Sequence, residues 1–361
     1  QIGIYSALGQ LYDPADSGQV MYYREDVKGQ ILEEGINEAG AMSSWLSAAT
    51  SYSVHNYPLI PFYIFYSMFG FQRVGDLCWA AGDLQARGFL LGGTAGRTTL
   101  NGEGLQHQDG HSHIMANTIA NCVTYDPTYA YELAVIIQAG MRRMYKEDES
   151  VFYYITTMNE NYVQPDMPKD CEEGINKGMY LLEDGDNKAY KVSSKEKLRV
   201  RLLGSGTILL EVRAAAEMLR KDYKVSVDVW SVPSFNELTR DGQAADRWNM
   251  LNPEAGQKVS YVEECLSKKQ GPVVVSTDYM KLYGEQIRPF VPAAFKVLGT
   301  DGFGRSDSRA KLRSFFEVDR NYVVVAALNE LAKEGSIERS VVSKAIKKLK
   351  LDPEKVNPVL V

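Results

Sequence analysis

The sequence predicts an α/β fold of two domains, each built on a mostly parallel sheet. Three observations carry this expectation. The 361 residues exceed the usual single domain of about 100–200 residues. Short apolar runs alternate with longer segments of helical period, and the series occurs twice. The apolar runs are apolar throughout instead of alternating, the pattern of strands covered on both faces.

In the first half, GQILEEGI (29–36) reads as a strand passing into a helix, and NEAGAMSSWLSAATSY (37–52) continues as a packed helix. PLIPFYIFY (58–66) reads as a buried strand. QRVGDLCWAAGDLQARG (72–88) is helical and reaches Gly88 as a C-terminal stop. FLLGG (89–93) is a buried strand that leads straight into a polar, glycine-broken loop. NCVTY (121–125) is a strand. The helix in DPTYAYELAVIIQAGMRRMY (126–145) has Asp126 as its expected N-cap, with Pro127 at the first helical position. VFYYITTM (151–158) is again a strand.

Residues 183–198, EDGDNKAYKVSSKEKL, are polar and charged and form the expected linker between a first unit (1–182) and a second (199–361). The second unit repeats the alternation. Strand RVRLLGSG, helix ILLEVRAAAEMLRKDY, strand VSVDVWSV and helix FNELTRDGQAADRW are followed by strand PVVVST and the apolar helix YVVVAALNELAKEG. The LGSGT stretch at 203 reads as a glycine turn only.

Composition narrows the function. Hydrophobic residues at 45% and charged residues at 24% suit an ordinary globular protein, and a net charge of −6 argues against a nucleic-acid partner. Cys78, Cys122, Cys171 and Cys265 form no CxxC pair, which points to a reducing cytoplasm. No apolar run approaches the roughly 20 residues of a membrane span, so no membrane partner is expected. No signal peptide is visible in these residues, and the start on Gln1 reads as a piece of a longer polypeptide. Dinucleotide GxGxxG and P-loop motifs are absent.

The candidate site is the loop GRTTLNGEGLQHQDGHSH (96–113), which holds three of the four histidines beside Glu103 and Asp109. It follows an apolar strand, where α/β proteins place ligands. Three readings stay open: a surface loop with locally bonded histidines, a metal site of weak H-x3-H-x-H spacing, or a cofactor or substrate site using imidazole as acid or base. Glu38, early in its helix among Gly35, Ile36 and Gly40, is either a helix-start carboxylate or a partly buried one able to share a proton with a ring nitrogen. Tyr66 and Phe69, just past a strand end, are placed to stack on a planar ligand, although aromatics at this density are usually core.

The strings GQILEEGINEAGA, PFYIFYSMFGFQRVGDLCWAAGD, GRTTLNGEGLQHQDGHSH, YYITTMNENY, DGQAADRWNML and GTDGFGRSDSR closely resemble the family of the homodimeric bacterial pyruvate dehydrogenase decarboxylase component, which depends on thiamin diphosphate. The resemblance runs along essentially the whole chain. It implies the latter part of a thiamin-diphosphate-binding, transketolase-like pyrimidine domain, followed by a smaller transketolase C-terminal-like α/β domain. It further implies oxidative decarboxylation of pyruvate and acetylation of lipoamide on the dihydrolipoamide acetyltransferase core.

By the same resemblance, Glu38 hydrogen-bonds the aminopyrimidine ring nitrogen and favours the tautomer that removes the thiazolium C2 proton. Phe69 stacks on the pyrimidine, Tyr66 lies near that ring or the substrate adduct, and Ile36 helps hold the bent cofactor. His107 and Glu103 face the reacting carbons. His111 and His113 serve loop structure. An acidic residue often stands in the family at Gln108. The family's diphosphate and Mg2+ ligands lie in a GDG motif that these residues lack, so the chain is expected to supply only the aminopyrimidine half-site, with no metal ligand of its own, and to be inactive alone. The alternatives are the same chemistry on another 2-oxo acid, or a non-catalytic dimerisation and assembly module.

Overall fold

The computed structural model describes residues 2–15, 17, 23–190 and 198–361. Strands β1 (Ile4–Tyr5) and β2 (Glu25–Asp26) form a small parallel pair. The first main sheet contains β3 (Phe62–Tyr66), β4 (Phe89–Gly93), β5 (Cys122–Tyr125) and β6 (Phe152–Thr156), all parallel in the order β3-β4-β6-β5. The second contains β7 (Tyr180–Glu183), β8 (Arg199–Gly204), β9 (Ser226–Ser231), β10 (Val273–Ser276) and β11 (Phe295–Leu298), in the order β11-β10-β8-β9-β7. Within it β7 alone runs antiparallel.

Both sheets carry helices on both faces, which is why their inner strands are apolar on alternate residues of either side. Helices α1 (Glu38–Ala49) and α2 (Gly70–Asp83) bring Met42, Trp45, Val74 and Cys78 onto Leu90, Phe152 and Tyr154. Helix α3 (Ala130–Tyr145) brings Ile136 and Met144 onto Phe89, Val123 and Tyr153 on the opposite face. In the second sheet, helix α4 (Ile208–Tyr223) and helix α6 (Arg320–Lys333) cover Val200, Leu202, Val227 and Val229, while α5 (Phe235–Leu251) covers Leu203, Trp230 and Val273. Each fully buried aliphatic side chain of this kind contributes about 1.5–3 kcal/mol.

The sheets meet through their carboxyl edges. Asp126, directly after β5, accepts hydrogen bonds from Thr156 Oγ1 at the end of β6 (2.7 Å), Ser205 Oγ after β8 (2.8 Å) and Tyr279 Oη after β10 (3.3 Å). Gly206 has φ +51, and its N–H donates to the Asp126 carbonyl (3.2 Å); a Cβ there would lie 2.7 Å from Asp126 Oδ2. The LGSGT turn therefore joins the two sheets and does more than reverse the chain.

Several expectations need correction. Residues 29–36 are neither strand nor helix: Ile31 makes one bridge to Ile4, and Gly35 has φ +66. The 58–66 run yields an edge strand with no outer neighbour among the described residues, and Phe62, Ile64 and Tyr66, which share one face of it, are exposed. Helix α2 ends at Asp83, since Gln85 turns left-handed (φ 55) ahead of Gly88. Asp126 is no N-cap. The α3 start is held by Glu132, which accepts from Thr128 N (2.5 Å) and Tyr129 N (3.1 Å), and burial between the sheets takes Asp126 instead. Residues 180–183, divided by the sequence reading between the first unit and the linker, are an edge of the second sheet. Of the expected linker, 191–197 lies outside the described residues. All four cysteines are free and buried. No helix among the described residues is long and apolar enough to cross a membrane.

Candidate active site

The 96–113 loop leaves the carboxyl end of β4 and is tied down from the other sheet. Asp278, beyond the end of β10 and 2% exposed, accepts from Thr98 N (2.9 Å), Thr98 Oγ1 (2.7 Å), Thr99 N (3.1 Å) and Thr99 Oγ1 (2.6 Å). Gly96 lies so close, at φ +90, that a Cβ would sit 2.3 Å from Asp278 Oδ2. Burial raises the Asp278 pKa above the usual carboxylate range, and Arg313 and the threonine donors oppose that. Gln108, fully buried, donates to Leu100 O (2.7 Å) and accepts from Arg305 N (2.7 Å), so its amide uses both of its ends. An ionised carboxylate at this position would lose the bond to Leu100.

The loop brings His107 to the end of β3. Its ring meets Phe69 edge-on with centroids 5.0 Å apart, and Tyr66 edge-on at 5.3 Å; Tyr66 and Phe69 are 6.2 Å apart. Nδ1 of His107 lies 3.5 Å from Glu103 Oε2 and is buried with no hydrogen-bond partner among the described residues. Phe69 is buried and Tyr66 half exposed.

Glu38 is the first residue of α1, whose N-cap Asn37 accepts from Gly40 N (3.1 Å). Its carboxylate is half-buried and bonded to Arg73 Nη1 at 3.0 Å, and the same guanidinium lies 4.2 Å over the Phe69 ring. Burial first and the nearby Glu38 charge second push the Tyr63 hydroxyl up to about 12. Five of the six residues expected at the site (Glu38, Tyr66, Phe69, Glu103 and His107) thus form one connected group. Ile36 does not join it: the side chain is 99% exposed, on the irregular segment before α1.

The other histidines separate by environment. His111 Nε2 lies 3.2 Å from Gln72 Oε1. His113 is fully buried, Nε2 to Thr156 Oγ1 at 2.9 Å, and burial lowers its pKa to about 3. Asp109 caps the following turn through His111 N and Ser112 N. Among the described residues no group of three His, Cys, Asp or Glu side chains is arranged to hold a metal ion.

Sequence reasoning missed Arg73, Asp278 and the role of Asp126. Arg73 lies four residues after Phe69 on the same helical stretch, and that spacing was the available signal for a shared face. Asp278 and Asp126 gave no local signal, because their partners are far away in the chain.

Known proteins resemble this chain along its whole length. The family described as pyruvate dehydrogenase E1 component middle domain matches residues 1–165, and the transketolase-like TK C-terminal domain family matches residues 178–319. The pyruvate dehydrogenase E1 component of Pseudomonas aeruginosa is 68% identical over 360 residues, covering 99% of this chain and 40% of that protein. That of Escherichia coli (strain K12) is 63% identical over 362 residues, 100% of this chain and 40% of that protein. The chain thus spans about 40% of the length of these relatives. Among solved structures, a transketolase from Leishmania mexicana superposes with a TM-score of 0.62 at 16% identity, over 92% of this chain and 42% of its own. A split-gene transketolase, an inactive beta4 tetramer, gives a TM-score of 0.55 at 14% identity over 92% of each chain. These likenesses bear out the transketolase-like fold, and with such identity along the full chain, the chain belongs to the pyruvate dehydrogenase E1 component family.

Proposed function

We propose that this chain supplies the aminopyrimidine side of a thiamin-diphosphate site for the oxidative decarboxylation of pyruvate. The observation that carries the reading is Arg73. A guanidinium is planar, cationic and rich in N–H donors, and here it stacks on Phe69 at 4.2 Å while donating to Glu38 at 3.0 Å. It stands in for a protonated aminopyrimidine, which needs the same two things, an aromatic face and a carboxylate beside a ring N–H. The residues present fit that end of the cofactor.

Thiamin diphosphate, when bound, supplies the electron sink for loss of carbon dioxide. The chain's own residues do the rest. Glu38 holds or returns a proton at a ring nitrogen, and Phe69 and Tyr66 orient the ring. His107 presents an imidazole beside Glu103, suited to donate to a developing alkoxide or to move a proton. Gln108 and Asp278 hold the loop that carries His107 in place. The 361 residues contain no Gly-Asp-Gly motif, so the diphosphate and Mg2+ ligands belong elsewhere in the assembled enzyme. A homodimer, transfer of the acetyl group to lipoamide on the dihydrolipoamide acetyltransferase core, and a cytoplasmic location complete the proposal. We place the boundary between its two units ahead of β7, because β7 pairs with the second sheet.

In an enzyme of the relatives' full length carrying these residues, Glu38→Gln is expected to lower pyruvate decarboxylation by about 100-fold or more. Wild-type turnover in that variant rules out the proton role.

A further inference from the structure

We propose that a cavity on the second sheet, lined by no residue of the histidine loop, binds a small anion carried on a flat apolar group. The cavity measures about 420 Å³, within the range of about 300–1,000 Å³ typical of small-molecule sites. Arg201 of β8 and Asp228 and Trp230 of β9 line it from the sheet, and Tyr261 from the helix Tyr261–Leu266.

Arg201 is the group that asks for a ligand. It is 2% exposed, and its two terminal nitrogens donate only to the carbonyls of Leu266 and Gly271. No carboxylate lies within 4 Å of it among the described residues, and its Nε has no partner. Asp228, its neighbour across the β8–β9 register, is already used by Arg199 (2.8 Å), Lys269 (3.2 Å) and Gly185 N (2.8 Å). A buried guanidinium without a counter-ion is costly, and an anion in the adjoining cavity removes that cost.

Trp230 adds a second donor. It is 9% exposed, and Nε1 has no partner among the described residues. Buried indole N–H groups normally find an acceptor. The Trp230 and Tyr261 rings provide flat walls, and exposed Lys169 and Lys268 stand at the rim. The rim acids do not cancel this: Glu173 is paired with Lys177 (2.7 Å), and Asp170 and Glu264 are exposed, where water and salt screen them. The floor selects for an anion and the walls for a planar body, as in an aryl phosphate or aryl carboxylate.

Phenyl phosphate is the probe, with phenol as the uncharged control, and the Trp230 indole N–H resonance and titration calorimetry as readouts. Phenyl phosphate is expected to shift that resonance saturably while phenol does not. Arg201→Met is expected to weaken binding about 10-fold, and Trp230→Phe, which keeps a ring and loses the donor, about 3-fold. Trp230→Phe decides the question if Arg201→Met fails to fold. The proposal is overturned if phenyl phosphate up to about 10 mM leaves the resonance unmoved, if phenol moves it equally, or if Trp230→Phe binds phenyl phosphate as tightly as the wild type.

Discussion

Replacing Arg73 with methionine is expected to strengthen the binding of thiamin diphosphate. The guanidinium holds both places that the pyrimidine needs, the Phe69 face at 4.2 Å and the Glu38 carboxylate at 3.0 Å, so the ring must displace it. The side chain of Arg73 is 49% exposed and that of Glu38 18%, so the ion pair is worth about 0.2–1 kcal/mol after screening. The cation–π contact adds about 0.5–1 kcal/mol. Their sum, about 0.7–2 kcal/mol, converts to a gain of roughly 3- to 30-fold in affinity. Methionine keeps much of the stem's packing, so the melting temperature is expected to change little. Titration calorimetry with thiamin diphosphate and Mg2+, in an enzyme of the relatives' full length, reads the effect. Unchanged or weaker binding refutes the reasoning, because it means the guanidinium does not compete for the ring's place.

Two further outcomes follow from the joint between the sheets. Asp278→Ala leaves the buried amides of Thr98 and Thr99 without an acceptor, at about 1–3 kcal/mol each, offset in part by losing a desolvated carboxylate; a loss of about 2–4 kcal/mol in urea denaturation, with faster amide exchange at both threonines, is expected, and wild-type stability contradicts the anchoring role. Asp126 is raised from 3.8 to about 7, chiefly by burial, so between those values the folded chain keeps a proton that the unfolded chain has lost. Its contribution to stability is therefore full below pH 3.8 and is lost as pH rises towards 7, by on the order of 4 kcal/mol. Asp126→Asn is expected to remove that component of the pH dependence of unfolding, and an unchanged dependence in the variant contradicts it.

The sheets were legible from sequence because their strands are apolar on both sides and their helices have a clear period: FLLGG, VFYYIT and RVRLLG all become strands. The exposed edge at β3 was not, because composition alone does not say which strand lacks an outer neighbour. The candidate group at Glu38, Tyr66, Phe69, Glu103 and His107 came from a resemblance, and residue chemistry alone left its readings open. Ile36 stands apart from that group within this chain, exposed on the segment before α1. Asp126 was misread for a physical reason: an aspartate before a proline looks like a helix start locally, while its partners, Ser205 and Tyr279, lie 79 and 153 residues away.

The most direct measurement is a structure of the assembled enzyme with thiamin diphosphate bound. A Glu38 oxygen is expected at about 2.6–3.2 Å from a pyrimidine ring nitrogen, with the ring against Phe69 and Arg73 turned away from both. A pyrimidine lodged elsewhere, with Glu38 still bonded to Arg73, contradicts it.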